Sequence, residues 1–481
     1  MPRISRRAFL KTTGVVTAGA ALRPKSWAQV AGANGDVRVG IVGMNNRGKD
    51  IVYKELSKVG GVRITALCDV DSEPLNAMAK TLRDQGLTID TYTDYRDLLA
   101  KGNIDAVFIV TPNHQHALQA IWACQAGKDV YLEKPVSHNI WEGRKVIEAA
   151  DKYKRIIQVG SQCRSSDSLA EAVAWVQAGN IGKITSVRGL CYKLRPSIGL
   201  TTGPQPIPST VNYDLWLGPA PTAPLRRARV HYDWHMQWPY GNGEVANQGV
   251  HQMDIARWFL GEKEISPRVL TVGGRMTYVD DGETPNTLTV VHDYKTAPLI
   301  FEVRGLPVRL GTTMMDKYYG ASIGVIVECE GGRVVVPTYT TARATDKDGN
   351  VLKDFAGASN HEGNFIAAVR SRKVGDLHAP ITEGHISSSL SHMANISHRV
   401  GKTQPPDAIR EQIKSNATMS EAFERLAAHL SLNGVNLEKT PVTLGAALEF
   451  DPKTERFTNS DAANALLTRE YRKPFVVPEK V

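Results

Sequence analysis

The 481-residue sequence predicts a doubly wound parallel α/β domain followed by an α+β domain with a largely antiparallel sheet. In the first half, short β-branched runs alternate with amphipathic helical stretches, as in parallel strands joined by crossover helices. In the second half, strands of period-2 alternation are separated by Gly- and Asp-containing turns, as in an antiparallel sheet with one covered face. The chain is long enough to bury the cores of two such domains.

The first domain is assigned to residues 34–160. Its predicted strands are "DVRVGIVG", "VRITALCDV", "DAVFIVTP", "DVYLEKP" and "RIIQVGS". Helices are predicted between them over residues 49–59, 72–85, 114–126 and 141–153. Ligands of such sheets bind beyond the carboxyl ends of the strands, so ligand-binding and catalytic residues are expected at the ends of these runs.

The second domain is assigned to residues 161–404. Its strands run from "ITSVRGLCYKL" to "GRVVVPTYTT", and two helical segments after them are expected to pack back on the first domain. Residues 405–481 are predicted as a C-terminal tail with short helices that packs on the body of the protein.

The N-terminus contains "SRRAFLK" at residues 5–11, an apolar run over 12–22, and small-residue cleavage motifs ending at Ala28 and Ala33. This pattern predicts a twin-arginine signal over residues 1–33, which would bring the folded protein to the periplasm through the twin-arginine translocation machinery. The apolar run is too short to span a bilayer, but an uncleaved signal would leave a membrane anchor. Loading of a cofactor before transport is a common reason for export in the folded state.

Charge and cysteine content exclude several classes of function. The formal net charge is +9, but residues 1–33 hold six of the basic residues and no acidic one, so no nucleic-acid partner is expected. The five cysteines show no CxxC spacing and are expected to be buried thiols, neither a disulfide framework nor a zinc site.

The end of the first strand carries an incomplete dinucleotide fingerprint in "GIVGMNNRG". Gly43 and Gly48 occupy two of the three glycine positions and Asn45 the middle one, where Asn tolerates the positive φ of a tight turn. Asp69 ends the second strand, where a carboxylate can accept hydrogen bonds from ribose hydroxyls and repel a 2′-phosphate. NAD is therefore expected over NADP, with Asp71 as the alternative ribose ligand.

Further motifs occur in the same order as in a known family. They are "TPNHQH" at 111–116, "EKP" at 133–135, "YDLWLGPAP" at 213–221, "GNGEVANQGVHQMDIARW" at 241–258 and "EFDPKTERFTNSDAANALLTREYRKPFVVPE" near the C-terminus. Together they resemble the Gfo/Idh/MocA oxidoreductases, and the third and last resemble an exported bacterial branch. The resemblance implies a Rossmann-type NAD-binding domain and action on sugars, inositols or related polyols.

The resemblance and the strand-end motifs together place the cofactor contacts. The expected cofactor-binding residues are Gly43, Asn45, Arg47, Gly48, Asp69, Thr111, Pro112, Asn113, His116, Glu133 and Lys134.

The expected catalytic residues are Lys134, His251, Asn247 and Asp254. The resemblance places "EKP", and with it Lys134, beside the nicotinamide, and implies that the position of His251 completes a proton relay with the lysine. A lysine in a partly desolvated cleft has a lowered pKa and can relay a proton from a substrate hydroxyl. The family pattern pairs His251 with an Asp four residues earlier, but this position is Asn247, which can orient a hydroxyl but cannot take up a proton. Asp254 is expected to orient His251 instead, or else to be an ordinary helix-terminal charge.

The segment 227–254 is rich in aromatic residues and histidine, which suits sugar rings and their hydroxyls. The expected substrate-binding residues are Gln162, Arg164, Tyr192, Lys193, His231, Trp234, His235 and Tyr240. The two histidines would bind a metal only on a helix, and Pro239 with its neighbouring glycines indicates a loop, so no metal is expected.

Three functions follow. The first is an exported NAD-dependent oxidoreductase of a sugar, cyclitol or glycoside with a tightly bound cofactor. The second is an NAD-dependent glycosidase that oxidises, eliminates and reduces again, and the third is a non-catalytic periplasmic sugar-binding protein. A homo-oligomer acting on a small sugar or glycoside is expected in the first two.

Overall fold

A computed structural model of the protein describes residues 35–481, so the predicted export signal lies outside the described residues. Its N-terminal sheet contains six parallel strands in the order β3-β2-β1-β4-β5-β6. They are β1 (Val37–Val42), β2 (Val62–Cys68), β3 (Asp90–Tyr92), β4 (Ala106–Ile109), β5 (Asp129–Leu132) and β6 (Ile157–Val159). The strand order reverses between β1 and β4, which creates the crevice where doubly wound folds bind ligands. The predicted Rossmann-type fold is confirmed.

Helices follow the strands of this sheet on both faces. They are α1 (Arg47–Asp50), α2 (Ser72–Asp84), α3 (Tyr95–Lys101), α4 (Asn113–Gln125), α5 (Ile140–Tyr153) and α6 (Asp167–Gln177). α1 continues through a π-helical turn (Ile51–Glu55) and a 3₁₀ turn (Leu56–Lys58), where the sequence predicts a regular helix. Asp71, Asp94 and Asn139 cap the N-termini of α2, α3 and α5 by accepting backbone N–H groups.

The second sheet contains twelve strands, of which ten follow the path β14-β13-β12-β11-β7-β10-β9-β8-β16-β15, while β17 pairs with β8 and β18 with β17. They are β7 (Ile184–Tyr192), β8 (Arg268–Gly274), β9 (Thr287–Asp293), β10 (Pro298–Arg304), β11 (Ile323–Cys329), β12 (Gly332–Val336), β13 (Thr341–Asp346), β14 (Val351–Ala356), β15 (Lys402–Gln404), β16 (Val442–Leu444), β17 (Leu448–Asp451) and β18 (Arg456–Phe457). β7 and β10 pair in parallel and the neighbouring strands in antiparallel fashion. The predicted largely antiparallel sheet is confirmed.

The helices of this part pack on the sheet and on the first domain. They are α7 (Tyr213–Leu217), α8 (Gly243–Asn247), α9 (Gly249–Leu260), α10 (His361–Ser371), α11 (Ile381–Arg399), α12 (Pro406–Ile413), α13 (Ala417–Leu432) and α14 (Asp461–Asn464). Phe365 of α10 reaches the first domain's core, where its ring meets Phe108 edge-on at 5.5 Å.

Residues after 405 are more deeply integrated than a tail. Phe423 of α13 packs with Val272 and Val291 in one hydrophobic cluster on the second sheet, and β16 and β17 extend that sheet. Phe475 and Val477 are buried in the first domain's core. The last residues of the chain therefore join the two halves of the molecule.

All five cysteines are buried and unpaired, as their spacing predicts. Across residues 35–481, no helix combines the length and apolar character needed to cross a membrane.

Candidate active site

A cavity of about 360 Å³ lies at the carboxyl edge of the parallel sheet. Asp69 follows β2 and Lys134 follows β5, so they line the cavity at different positions along the sheet, and Lys193 and His235 line it from the second part of the chain. The strand ends of the first domain form its floor, and the aromatic-rich segment after β7 forms its far wall.

Two glycines shape the turn after β1. Gly43 has φ +95°, and a Cβ there would lie 2.6 Å from the Val110 carbonyl oxygen. A Cβ on Gly48 would lie 2.0 Å from the Gly43 carbonyl oxygen. The residue with positive φ between them is Asn46, at +37°, so the expectation that Asn45 adopts it is wrong. The turn is still tight, but the residue with positive φ is one position later than the sequence predicts.

We expect Gly43→Ala to lower the free energy of unfolding more than Gly127→Ala, measured by urea denaturation. Gly127 also has positive φ, at +71°, but a Cβ there meets nothing within 4 Å. The control should therefore show only the conformational cost, about 1–2 kcal/mol, whereas Gly43→Ala adds a clash with fixed backbone. Equal losses of unfolding free energy in the two variants would show that the contact with Val110 adds no cost at residue 43.

Asp69 lies at the cavity wall just after β2. Its carboxylate accepts the N–H groups of Met44, at 2.7 Å, and Asp71, at 2.9 Å. Burial raises the pKa of Asp69, although the two hydrogen bonds from backbone amides act to lower it. Each oxygen retains a lone pair for a hydroxyl donor, so the residue fits a ribose.

Asp71 is occupied elsewhere. One carboxylate oxygen accepts the Glu73 N–H at 3.0 Å, capping α2, and the other accepts His231 Nε2 at 2.7 Å. Asp71 is not among the residues that line the cavity. The geometry therefore favours Asp69 as the ribose ligand.

Replacing Asp69 with Ala should weaken NAD binding by roughly 1–3 kcal/mol, the usual effect of leaving buried polar groups unpaired. Titration calorimetry measures the change. Asp71→Asn is the matched control, because the amide oxygen can still cap α2 while the amide NH2 group can donate to an unprotonated His231 Nε2. The assignment is contradicted if Asp71→Asn weakens NAD as much as Asp69→Ala does.

The loop after β4 is tied to the loop after β5. His116 Nε2 lies 2.7 Å from the Thr111 carbonyl oxygen, and Nδ1 lies 2.6 Å from that of Pro135. Pro112 precedes the first residue of α4, and the Asn113 amide donates to Asn242 Oδ1 at 3.2 Å. Four of these residues of the first domain line the cavity, namely Thr111, Pro112, Asn113 and His116. His116 therefore fixes the spacing of two cavity loops.

Arg47 and Glu133 form an ion pair in the cavity floor. Arg47 Nε donates to Glu133 Oε1 at 2.6 Å, and the guanidinium also pairs with Glu55. Burial opposes ionisation of Glu133, but the charges of Arg47 and Lys134 outweigh it and lower the pKa of Glu133. A negative charge is thus held beside Lys134.

Lys134 lines the cavity just after the end of β5. Its Nζ donates to the backbone carbonyl of Asn247 at 2.5 Å. Burial lowers the pKa of Lys134, while the neighbouring Glu133 and Glu244 act in the opposite direction. The ammonium is therefore positioned by a neutral oxygen and can release its proton more readily than an exposed lysine.

Glu244 is a site residue that the sequence interpretation missed. It is 1% exposed, accepts the Asn247 side-chain amide at 2.9 Å, and forms an ion pair with Arg195 at 2.9 Å. Burial opposes its ionisation, but Arg195 lowers its pKa. The site thus contains a carboxylate one helical turn before Asn247. The i, i+3 spacing of Glu244 and Asn247 in "GEVAN" is the sequence signal that could have predicted their contact.

His251 and Asp254 are both buried on α9. His251 packs against Tyr339, with ring centroids 5.1 Å apart, and its Nδ1 is buried without a partner among the described residues. Burial and the Lys134 charge hold the pKa of His251 well below its ordinary value. Asp254 does not contact His251, because Arg164, at 2.9 Å, and Ser387, at 2.6 Å, occupy its carboxylate. The expected orientation of His251 by Asp254 is wrong.

Four predicted substrate residues line the cavity and four do not. Lys193, His231, Trp234 and His235 line it. Gln162 and Arg164 lie behind its wall, where they contact Tyr131 and Asp254. Tyr192 points to the other face of β7, where its hydroxyl binds Glu302, because adjacent strand residues face opposite sides.

Tyr240 belongs to an aromatic cluster beneath the cavity, with its ring 4.9 Å from that of Trp216 and 5.4 Å from that of His114. It supports the wall of the cavity and is not itself among the lining residues.

His235 is held as a neutral base. Its ring stacks on Trp234 at 3.6 Å between centroids, and Nδ1 donates to the Tyr232 carbonyl at 2.6 Å. Because a carbonyl can only accept, Nε2 is left with a lone pair. Burial lowers the pKa of His235 to about 4. Tyr232 and Arg195, whose side chains are joined at 2.6 Å, also line the cavity and were not predicted.

Within the part of the chain that the structure describes, no three His, Cys, Asp or Glu side chains are grouped as a metal site would require. His231 and His235 bind different partners, Asp71 and the Tyr232 carbonyl.

The glycine turn, the acidic strand end and the lysine between two carboxylates define the class of an NAD-binding oxidoreductase. Residues 37–161 match the model of the oxidoreductase family with an NAD-binding Rossmann fold, and residues 173–295 and 415–477 match that family's C-terminal alpha/beta domain. The chain belongs to the Gfo/Idh/MocA oxidoreductase family.

Curated relatives share a part of the chain. An inositol 2-dehydrogenase of Salmonella paratyphi B is 31% identical over 157 residues, 32% of this chain and 46% of that protein. A glycosyl hydrolase family 109 protein of Shewanella sp. ANA-3 is 30% identical over 207 residues, 38% of this chain and 45% of that protein. The chain thus spans less than half the length of these relatives.

Solved structures share the fold. The WlbA dehydrogenase of Bordetella pertussis, crystallised with NADH and UDP-GlcNAcA, is 21% identical, with a TM-score of 0.55 over 74% of this chain and 94% of that one. The first domain of the present protein binds NAD.

Proposed function

We propose that the protein is an exported NAD-dependent oxidoreductase that oxidises a hydroxyl of a sugar, cyclitol or glycoside and retains its cofactor. The observation that carries this proposal is the position of Lys134, which lines the same cavity as Asp69 and as the aromatic Trp234. The similarity to an inositol 2-dehydrogenase supports a polyhydroxylated substrate.

Lys134 would act as the general base. Bound NAD would supply the hydride acceptor, with Asp69 and the turn at Gly43 as the residues that hold it. Lys134 Nζ takes up the hydroxyl proton, for which it must be neutral, and burial favours its neutral form. The Asn247 carbonyl holds Nζ in place, and Glu133 and Glu244 stabilise the ammonium that forms.

The far wall suits a sugar ring. Trp234 and His235 are stacked and both line the cavity, so an aromatic surface faces the substrate space. Lys193, Tyr232 and Arg195 add hydrogen-bond donors around it. This arrangement supports recognition of a ring that has apolar C–H faces and several hydroxyls.

A second candidate is an NAD-dependent glycosidase. The observation that favours it is the second neutral base, His235, in the same cavity as Lys134. Oxidation of a sugar hydroxyl acidifies the hydrogen on the adjacent carbon, and a separate base could then remove it for elimination. The partial similarity to a glycosyl hydrolase family 109 protein agrees with this candidate.

Purified protein should be incubated with panels of free sugars, cyclitols and aryl glycosides while NADH absorbance and aglycone release are recorded together. NADH formation in proportion to oxidised product supports the oxidoreductase. Aglycone release without net NADH supports the glycosidase. Binding of a sugar without either product would contradict both and favour a binding protein.

Export is tested by changing Arg6 and Arg7 together to Lys. The precursor should accumulate in the cytoplasm with its fold and activity unchanged, because these residues precede the folded domains. Cell fractionation with immunodetection measures the distribution. Normal export of the variant would contradict a twin-arginine signal.

A further inference from the structure

The C-terminal strap, residues 469–477, crosses from the second part of the chain onto the first domain. Arg469 donates to the Pro239 carbonyl at 3.0 Å and to the His114 carbonyl at 3.2 Å. Arg472 binds the Asp214 carboxylate at 2.5 Å and the Gly218 carbonyl at 3.1 Å. The strap is thus held by charged hydrogen bonds to the segment around α7.

Phe475 of the strap reaches the cavity. It is 4% exposed and lines the same cavity as Asp69, together with Tyr95, Trp122 and Leu215. Its ring is flanked by the guanidinium of Arg472 at 4.8 Å and lies 6.3 Å from the Trp122 ring. A residue more than 400 positions from Asp69 therefore completes an apolar wall beside the predicted ribose ligand.

The segment that holds the strap is itself attached next to Asp69. The Asn212 N–H donates to the Val70 carbonyl at 2.8 Å, and the Ser72 N–H donates to the Thr210 carbonyl at 2.9 Å. α7 begins directly after Asn212. Release of a ligand past this part of the cavity would therefore require both the strap and the α7 segment to move.

We propose that the C-terminal strap encloses the adenosine half of the NAD site and makes dissociation of NAD slow. An adenine ring has two apolar faces, and Phe475, Trp122, Tyr95 and Leu215 provide the apolar surface next to the ribose carboxylate. This inference rests on the proposed retention of the cofactor and identifies the residues that cause it. A periplasmic enzyme without a surrounding NAD pool would need such a closure.

The rate of cofactor release tests the strap. Protein loaded with NADH is mixed with excess NAD, and loss of the bound-NADH fluorescence is followed for Phe475→Ala, Asp214→Ala and Val476→Ala. Phe475→Ala should release NADH roughly tenfold faster or more, since changes within one binding site act mostly on dissociation. Asp214→Ala, which removes the carboxylate partner of Arg472 and leaves its backbone contacts, should give a smaller acceleration. Val476, 39% exposed and adjacent to Phe475, is the control and should release at the wild-type rate.

The outcomes separate the strap from the proposed function. If all variants retain NADH as long as the wild type does, the strap proposal is overturned while retention of the cofactor stands. If the wild type exchanges NADH rapidly, the proposed retention of the cofactor is contradicted, and the strap proposal, which rests on it, is contradicted as well. If Phe475→Ala fails to fold, as circular dichroism would show, Asp214→Ala decides, because its side chain is 68% exposed and outside the core.

Discussion

Lys134→Met should reduce turnover on a confirmed substrate by at least about 100-fold, the low end for a positioned acid–base group, while NAD stays bound. The methionine keeps much of the volume of the lysine stem but cannot accept a proton. The glycine turn and Asp69, which follow β1 and β2, are unchanged. Steady-state kinetics give the turnover, and mass spectrometry of the denatured protein gives the NAD content.

Lys134→Arg separates proton transfer from charge. Arginine retains the positive charge beside Glu133 but does not deprotonate in proteins, so this variant should be as inactive as the methionine. In the wild type, oxidation should accelerate as pH rises through the pKa of Lys134, because the neutral lysine is the base. This pKa lies below the ordinary lysine value because burial lowers it. Full activity of either variant would remove Lys134 from the mechanism.

Glu244→Gln should lower the free energy of unfolding by roughly 3 kcal/mol, the low end for breaking a buried ion pair, because Glu244 is buried whereas Arg195, which loses its counter-ion, is 15% exposed. Its carboxylate and the guanidinium are joined by two contacts of 2.9 Å. Loss of the Glu244 charge should also lower the pKa of Lys134 further, since that charge raises it. Chemical denaturation measures the first effect and the pH profile of turnover the second.

The matched control is Asp354→Asn, which breaks a pair with Arg343 between half-exposed side chains and should leave stability nearly unchanged. The pKa of Glu244 is lowered in the folded state. Its stabilising contribution is therefore present above its unfolded pKa and is lost as pH falls through the folded value. If the wild type and Glu244→Gln show the same pH dependence of stability, the buried pair does not contribute as inferred.

The same contact changes the interpretation of position 247. Asn247→Asp restores the family's usual residue, but its carboxylate would stand where the amide now donates to Glu244 at 2.9 Å. A carboxylate at that distance repels the buried carboxylate of Glu244, so the variant should lose activity whichever reaction the protein catalyses. Asn at 247 is therefore complementary to Glu244.

Much of the fold and the cofactor half of the site could be predicted because they depend on local patterns. Alternating strands and helices specify a parallel sheet, and chain direction places every strand end at one edge. Gly43, Asp69, Thr111 and Lys134 follow β1, β2, β4 and β5, which are neighbours in the sheet, and the structure brings them to one cavity. Their proximity required no knowledge of distant contacts.

The substrate-binding half of the site could not be predicted in the same way, because it depends on which distant segments of the chain come into contact. Period-2 alternation implies that Tyr192 and Lys193 face opposite sides of β7, but it does not say which side holds the cavity. Helical spacing brings Asp254 near His251, yet Arg164, from another part of the chain, takes its carboxylate. These partners are chosen by packing between segments, which leaves no local signal.

What the sequence by itself determined is the doubly wound domain, its glycine turn and the acidic and basic residues at the strand ends, since each follows from order along the chain. Only the tertiary structure decided that the buried Glu244 pairs with Arg195 near Lys134 and that Phe475 lines the same cavity as Asp69. Burial and electrostatic pairing are properties of groups that come together in space, and the segments involved are separated by tens to hundreds of residues.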